Sequence, residues 1–323
     1  MSYKFVFLPP VTDGHRRWAD TITSKVPDVD IVFAESRQHA LTALGDARAA
    51  FGTLDAELLA AAPQLQWLAA PAAGPRPGFY FPELVASDVI VTNQRGIFND
   101  HISTHIMAFV LAFARGLQHL LPAQVAGVWT PGAEAAVPTI FLPEATALVI
   151  GVGGIGGETA RHLEHFGVHV IGMDPRVAEP PAGVHELYRP EALAEQIGRA
   201  DFVIMTAPQT PATEGLMNAT LLGKMKNTAI LINIGRGVNV KLDDLADALY
   251  DGTIGGAALD VFEVEPLPAD HRLWRAPNFL LTPHMAGAGP YLDDRRQHLL
   301  VENCRRLRDG EELLNVVDKK NWF

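Results

Sequence analysis

Ala147-Leu-Val-Ile-Gly151-Val-Gly153-Gly-Ile-Gly156-Gly-Glu-Thr-Ala160 decides the fold of this chain. The four apolar residues from Ala147 to Ile150 read as a buried strand and the glycines as a tight turn. Ile155, Ala160, Leu163 and Phe166 form one face of a helix that stops at Gly167. In this order of strand, turn and helix, Gly151 permits the turn and Gly153 lets backbone approach a pyrophosphate. Gly156 allows the helix to pack closely on the strand, and Ile155 lies in the first helical turn, whose N–H groups face the phosphates. A second strand, from Val168 to Met173, ends in Asp174, 18 residues after Gly156. A carboxylate there accepts hydrogen bonds from a ribose 2′-hydroxyl and repels a 2′-phosphate, so NAD is favoured over NADP. Arg176, two residues on, can pair with a 2′-phosphate, which leaves NADP possible.

The 323 residues allow two domains of ordinary size. With 37 Asp and Glu against 26 Lys and Arg, the net charge is −11 and no basic run exists. Nucleic acid and membrane are therefore not expected as partners, because binding phosphates in bulk needs clustered cations. The apolar part of the first eight residues is too short for a signal peptide, and no apolar run reaches the ~18 residues of a membrane span. A cytoplasmic location is the expectation. Cys304 is the only cysteine, so no disulfide forms within the chain, and it reads as a packing residue.

Residues 1–99 alternate strand patterns (5–8, 29–34, 48–52, 66–70, 89–92) with helical ones (16–25, 37–44, 55–62), the signature of a small parallel α/β domain. The loop Pro71-Ala-Ala73-Gly74-Pro-Arg76 follows the fourth strand, and ligands gather at strand C-termini in such sheets. A surface connection is the equal alternative. Asn99 or Asp100 is placed to cap a helix over 101–117 whose apolar residues spread beyond one face, which predicts burial on more than one side. The i, i+4 pair His101/His105 could bind metal on geometry but has no nearby carboxylate or third ligand in the sequence, and the spacing of His162/His165 matches no zinc motif, so no metal is expected. Residues 119–145, with four prolines, read as a long loop and suit an arm on a second subunit.

Further strands are expected at 201–205, 229–234, 256–261 and 279–282, with helices at 241–250 and about 291–308. The loop Pro208-Gln-Thr-Pro-Ala-Thr213 suits the lining of a cofactor, next to Ile234 at the end of the following strand. Three consecutive strands are each followed by one ionisable group: Arg236, Glu265 and His284. In a doubly wound sheet these strand ends share one edge beside the cofactor crevice. An arginine grips a carboxylate through a planar fork. A histidine moves a proton near neutral pH when a carboxylate fixes its tautomer. Reversible reduction of a 2-oxo acid beside a nicotinamide needs these groups.

The segments Leu231-Ile-Asn-Ile-Gly-Arg236-Gly, Gly256-Ala-Ala-Leu-Asp260-Val-Phe-Glu-Val-Glu265-Pro-Leu-Pro and Thr282-Pro-His284 resemble the signatures of the D-isomer-specific 2-hydroxyacid dehydrogenases. So do the glycine turn, the Pro208–Thr213 loop and Leu222-Gly-Lys-Met-Lys226. The resemblance is strong across about 145–310 and weaker across the first hundred residues. It implies a Rossmann-type NAD-binding domain (100–289) inserted into a flavodoxin-like substrate domain (1–99 plus 290–323), in a homodimer. By the motif match Arg236 binds the substrate carboxylate and carbonyl, His284 is the acid-base, Glu265 its partner, and Asp260 sits near the nicotinamide carboxamide. The implied activity interconverts a small 2-oxo acid, such as glyoxylate or hydroxypyruvate, with the D-2-hydroxy acid.

Two positions depart from the family pattern. Pro75-Arg76 follows Gly74 where relatives commonly have Val-Asp; proline removes an N–H donor, and Arg76 is placed to meet the substrate carboxylate instead, beside Ala73 and Gly74. Thr104 stands where many relatives carry glutamate. A phosphite dehydrogenase on the same scaffold and an NADH-sensing protein of corepressor type stay open, the latter weakened by the absence of a low-complexity tail in these residues.

Overall fold

The computed structural model describes residues 2–74, 78–129, 131–132 and 136–322. The chain divides into two compact units, one of residues 1–97 with 289–323, the other of residues 98–288.

In the first unit, strands β1 (Tyr3–Phe7), β2 (Val29–Phe33), β3 (Ala47–Phe51), β4 (Trp67–Ala69) and β5 (Ile90–Thr92) pair in parallel in the order β2-β1-β3-β4-β5. This is the flavodoxin-like order. Helices α1 (Asp13–Lys25), α2 (Arg37–Ala43), α3 (Ala56–Ala60) and α4 (Pro82–Ala86) connect them. The entries to the first three are capped by Thr12, Ser36 and Asp55, whose side chains accept from the backbone N–H of His15, His39 and Leu58. Residues alternate between two buried faces: Val6, Ala50 and Leu68 on one, Phe5, Phe7, Ala49 and Trp67 on the other. A parallel sheet covered on both sides requires this arrangement.

The second of these faces is closed by the C-terminal helix (Leu292–Asp309), which brings Leu300 and Cys304 against Tyr3, Phe5 and Trp18. The Tyr3 hydroxyl donates to the Cys304 carbonyl at 2.8 Å. Burial pushes the Cys304 thiol up to about 12, as suits a packing residue.

In the second unit, β6 (Thr146–Ile150), β7 (His169–Met173), β8 (Glu186–Tyr188), β9 (Phe202–Met205), β10 (Ile230–Asn233), β11 (Gly256–Leu259) and β12 (Phe279–Leu281) form a parallel sheet in the order β12-β11-β10-β9-β6-β7-β8. Counted from β6, this is the Rossmann order 3-2-1-4-5-6 extended by one strand. The order reverses between β6 and β9, the kind of switch point at which doubly wound sheets form a crevice at their strand C-termini. Ala147, Val149, Phe202, Ile204 and Ile232 face one core, and Leu148, Ile150, Val203, Met205 and Leu231 the other. Helix α5 (Asn99–Ala114) lays Ile106, Val110 and Phe113 on the first of these cores, together with Ala160 and Leu163 of the helix after the glycine turn.

Two local expectations are corrected. The residue before α5 is Phe98, with no side-chain cap; Asn99 is already helical and its amide lies against Gly154. The segment expected as loop begins with helix α6 (Leu117–Val125), which contains Pro122. Leu117, Leu120 and Leu121 recur at helical spacing, and that pattern outweighs one missing N–H. Among the described residues no single helix is long and apolar enough to cross a membrane.

Candidate active site

The crevice at the switch point is built by the glycine turn. Gly151 has φ +95°, a conformation open to glycine. A Cβ on Gly156 would lie 1.9 Å from the Gly151 carbonyl oxygen, so only hydrogen fits between α7 (Gly154–His165) and its strand. Gly153 differs: a Cβ there would meet nothing within 4 Å, and no side chain caps the helix that starts after it. Ile155 lies in its first turn, as the sequence predicts. A helix N-terminus with no side-chain cap, open at Gly153 and beside a switch point, suits a dinucleotide pyrophosphate.

Asp174 follows β7 and is almost completely buried, at 2% exposure. Its Oδ1 accepts from the N–H of Arg176 at 2.9 Å and of Val177 at 3.3 Å, so the carboxylate folds its own loop. The Arg176 guanidinium lies 3.7 Å from the same oxygen. Arg189, after β8, donates to the Asp174 carbonyl at 3.4 Å and to that of Pro175. Across the switch point, the Thr213 hydroxyl donates to the Pro208 carbonyl at 2.7 Å and accepts from the Thr210 N–H at 2.8 Å. Thr213 thus clips its loop into shape. Ile234 is buried on β10's edge of the core, its N–H bonded to the Met205 carbonyl.

Arg236 stands on a turn held by Asn233, which is fully buried. The Asn233 amide accepts from the Gly235 N–H and donates to the Arg236 carbonyl, both at 3.0 Å. Gly237 is pressed so close to Phe262 that a Cβ would lie 1.9 Å from backbone. The half-buried guanidinium has its pKa lowered by desolvation, with Glu265 acting in the opposite direction.

Glu265 Oε1 accepts from the Phe262 N–H at 3.0 Å, which aims Oε2 at His284. The His284 Nδ1–H donates to that oxygen at 2.7 Å. A carboxylate only accepts, so the bond fixes the tautomer and leaves Nε2 as the nitrogen that takes up or releases a proton. The His284 side chain is 55% exposed, enough for that nitrogen to be reached. Its backbone is in the left-handed region, φ +52°, uncommon for a residue other than glycine. Asp260 is buried, and its oxygens accept from Thr282, Met285 and Ala286.

In the first unit, the Asn93 amide donates to the Ala73 carbonyl at 2.8 Å, and Gln94 holds the carbonyls of Ala70 and Ala72. Ala72 and Ala73 are therefore anchored by the two residues after β5. Arg76 and Pro75 lie outside the described residues. Among the described residues no group of three or more His, Cys, Asp or Glu is placed to hold a metal. His101 faces Asp100 and His105 faces Thr282, while His162 lies near Glu158 and His165 near the Arg161 carbonyl.

Residues 107–286 match the model of the D-isomer specific 2-hydroxyacid dehydrogenase NAD-binding domain. The chain belongs to the D-isomer specific 2-hydroxyacid dehydrogenase family. It is an oxidoreductase of that family and its cofactor is NAD(P). It is similar to the glyoxylate reductase of Thermofilum pendens, 32% identical over 275 residues, which cover 83% of this chain and 79% of that protein. The (S)-sulfolactate dehydrogenase of Chromohalobacter salexigens is 33% identical over 220 residues, 68% of this chain and 70% of that one. The crystal structure of a D-isomer specific 2-hydroxyacid dehydrogenase from Xanthobacter autotrophicus Py2, in complex with NADPH and MES, superposes over all of both chains, with a TM-score of 0.84 and 30% identity.

Four positions of this dehydrogenase were not visible as site residues in its sequence. Asn93 and Asn233 each follow or end a strand, where a short amide side chain folds the next turn; that placement is a usable signal. Arg189 gave none, because the three-residue edge strand before it has no periodicity to detect. Thr282 sits inside a recognised motif, yet its partner, His105, is 177 residues away.

Proposed function

We propose that this dehydrogenase reduces small 2-oxo acids, glyoxylate and hydroxypyruvate among them, to the D-2-hydroxy acids, with His284 as acid-base. The observation that carries this is the 2.7 Å Glu265–His284 pair. Bound NAD(P)H would supply the hydride. Arg236 holds the substrate carboxylate through its fork, and its charge stabilises the oxygen on which negative charge grows. Protonated His284 gives the Nε2 proton to that oxygen, and Glu265 keeps the ring oriented and offsets the imidazolium charge. In the oxidative direction neutral His284 takes the hydroxyl proton. The Ala73–Gly74 loop is proposed to meet the carboxylate, with Arg76 as a further contact.

Oxidation of NADH and NADPH against glyoxylate, hydroxypyruvate, pyruvate and phenylpyruvate tests this reading. Turnover with the smaller acids is expected. Tight NADH binding without turnover of any acid would overturn it in favour of a sensor, and phosphite-dependent reduction of the oxidised cofactor would do so in favour of phosphite chemistry.

The environment of Asp174 supports use of NADPH beside NADH. Its Oδ1 accepts from the N–H groups of its own loop, and two guanidiniums stand nearby, Arg176 3.7 Å from that oxygen and Arg189 on the backbone carbonyls of Asp174 and Pro175, a cationic setting that suits a 2′-phosphate. A charge-assisted hydrogen bond is worth about 1.5–3 kcal/mol. Arg176→Ala is therefore expected to lower kcat/KM for NADPH about tenfold or more, with NADH scarcely affected. Equal losses for both cofactors would remove Arg176 from 2′-phosphate recognition.

A homodimer is supported by the exposed apolar residues along α6 and beyond: Leu121, Val125, Val128, Trp129 and Phe141, of which Val125 and Trp129 are each 89% exposed. Sedimentation is expected to give a dimer for the wild type and a monomer for Trp129→Asp.

A further inference from the structure

The backbone of His284 needs an explanation that the catalytic pair does not give. A left-handed histidine persists where its surroundings over-determine it, and here the determination runs through Asp260. The His284 N–H is shared between the carbonyls of Asp260 at 2.8 Å and Thr282 at 3.0 Å. The next two N–H groups, of Met285 and Ala286, donate to Asp260 Oδ1 at 2.8 Å and Oδ2 at 2.9 Å. The Thr282 hydroxyl donates to Oδ1 at 2.6 Å. One buried carboxylate at the end of β11 thus grips the loop on both sides of His284.

The Thr282 hydroxyl has a second neighbour, His105 Nε2 on α5, at 2.9 Å. Its single proton is committed to the carboxylate, so it accepts from His105, which must carry its proton on Nε2. We infer that His105 and Thr282 are positioning residues for His284, a one-way relay from His105 Nε2–H through the Thr282 hydroxyl to Asp260. The relay orders the loop from the helix beneath it. Burial of the His105 ring lowers its pKa, which keeps it neutral, while the nearby Asp260 acts the other way. A neutral ring has one N–H, and this geometry assigns it. Both the relay and its effect on turnover lie beyond the pairing with Glu265; the effect on turnover rests on the acid-base reading above.

Thr282→Val keeps the shape and removes the hydroxyl, while Thr282→Ser restores it. His105→Leu removes the donor, while His105→Gln places an N–H near Nε2. The expected result has three parts. Nitrogen NMR of labelled histidines shows His105 as the Nε2–H tautomer. The Val and Leu variants shift and broaden the His284 ring signals and lower kcat about ten- to hundredfold with NADPH affinity unchanged. The Ser and Gln variants recover both. Unchanged His284 signals and kcat in Thr282→Val would overturn the relay, as would a loss that tracks falling thermal stability and is not rescued by serine. Turnover surviving in His284→Ala would instead overturn the acid-base reading, and the relay would then stand or fall on the ring signals.

Discussion

His284→Ala lowers kcat by about 10²–10⁴-fold with NADPH binding retained, the range that general acid-base catalysis supplies. The substitution removes the Nε2 proton and is expected to leave the cofactor-binding turn and loop intact, because the His284 ring bonds to Glu265 while the hydrogen bonds that shape the Pro208–Thr213 loop lie within the loop itself. Binding and turnover therefore separate. Stopped-flow fluorescence of NADPH binding, paired with steady-state reduction of glyoxylate, checks both halves. Glu265→Gln should fall between the wild type and His284→Ala, since an amide still accepts from Nδ1–H but does not offset the charge of an imidazolium. If His284→Ala turned over at the wild-type rate, proton transfer would have to be assigned to another group.

Arg236→Lys is the second large effect: kcat/KM for 2-oxo acids is expected to fall by about 10²–10³-fold, the cost of losing one stabilising donor to a developing oxyanion. The charge is nominally kept. What goes is the planar fork, and with it the simultaneous hold on carboxylate and carbonyl. The site aggravates the loss, because desolvation already lowers the pKa of this arginine, and an ammonium in the same place gives up its proton far more readily. The turn itself should survive, since Asn233 binds its backbone and not its side chain. Partial rescue by added guanidinium, read as kcat/KM, would identify the missing fork as the cause.

Legibility in the sequence followed the range of the interaction. The glycine turn, the strand and helix that flank it and the three strand-end groups were readable because each is fixed within about ten residues by periodicity or by a turn. Glu265 and His284 lie 19 residues apart, on the ends of adjacent strands, and doubly wound topology was enough to bring them together. What escaped depended on tertiary contacts. Asp174 looked like a ribose acceptor, and its role in folding its own loop was not readable from the strand tip alone. Helix α6 was hidden by Pro122, although its leucines were spaced for a helix. The link from His105 to Thr282 joins a helix to a strand end far away in sequence, and no local pattern encodes it.

The C-terminal helix of the first unit has a consequence for the order in which the protein forms. Residues 98–288 are one uninterrupted run, whereas the other unit is assembled from both ends of the chain. During synthesis the cofactor-binding unit has its whole sequence available while its host still lacks Leu300 and Cys304, the residues that close the sheet face holding Phe5 and Trp18. At about 5–20 residues per second that face stays open for some seconds or longer after β5 has been made, exposing aromatic surface to whatever binds nascent chains. The helix Leu292–Asp309 thus acts as a keystone, since the core of the first unit is complete only once that helix has been made.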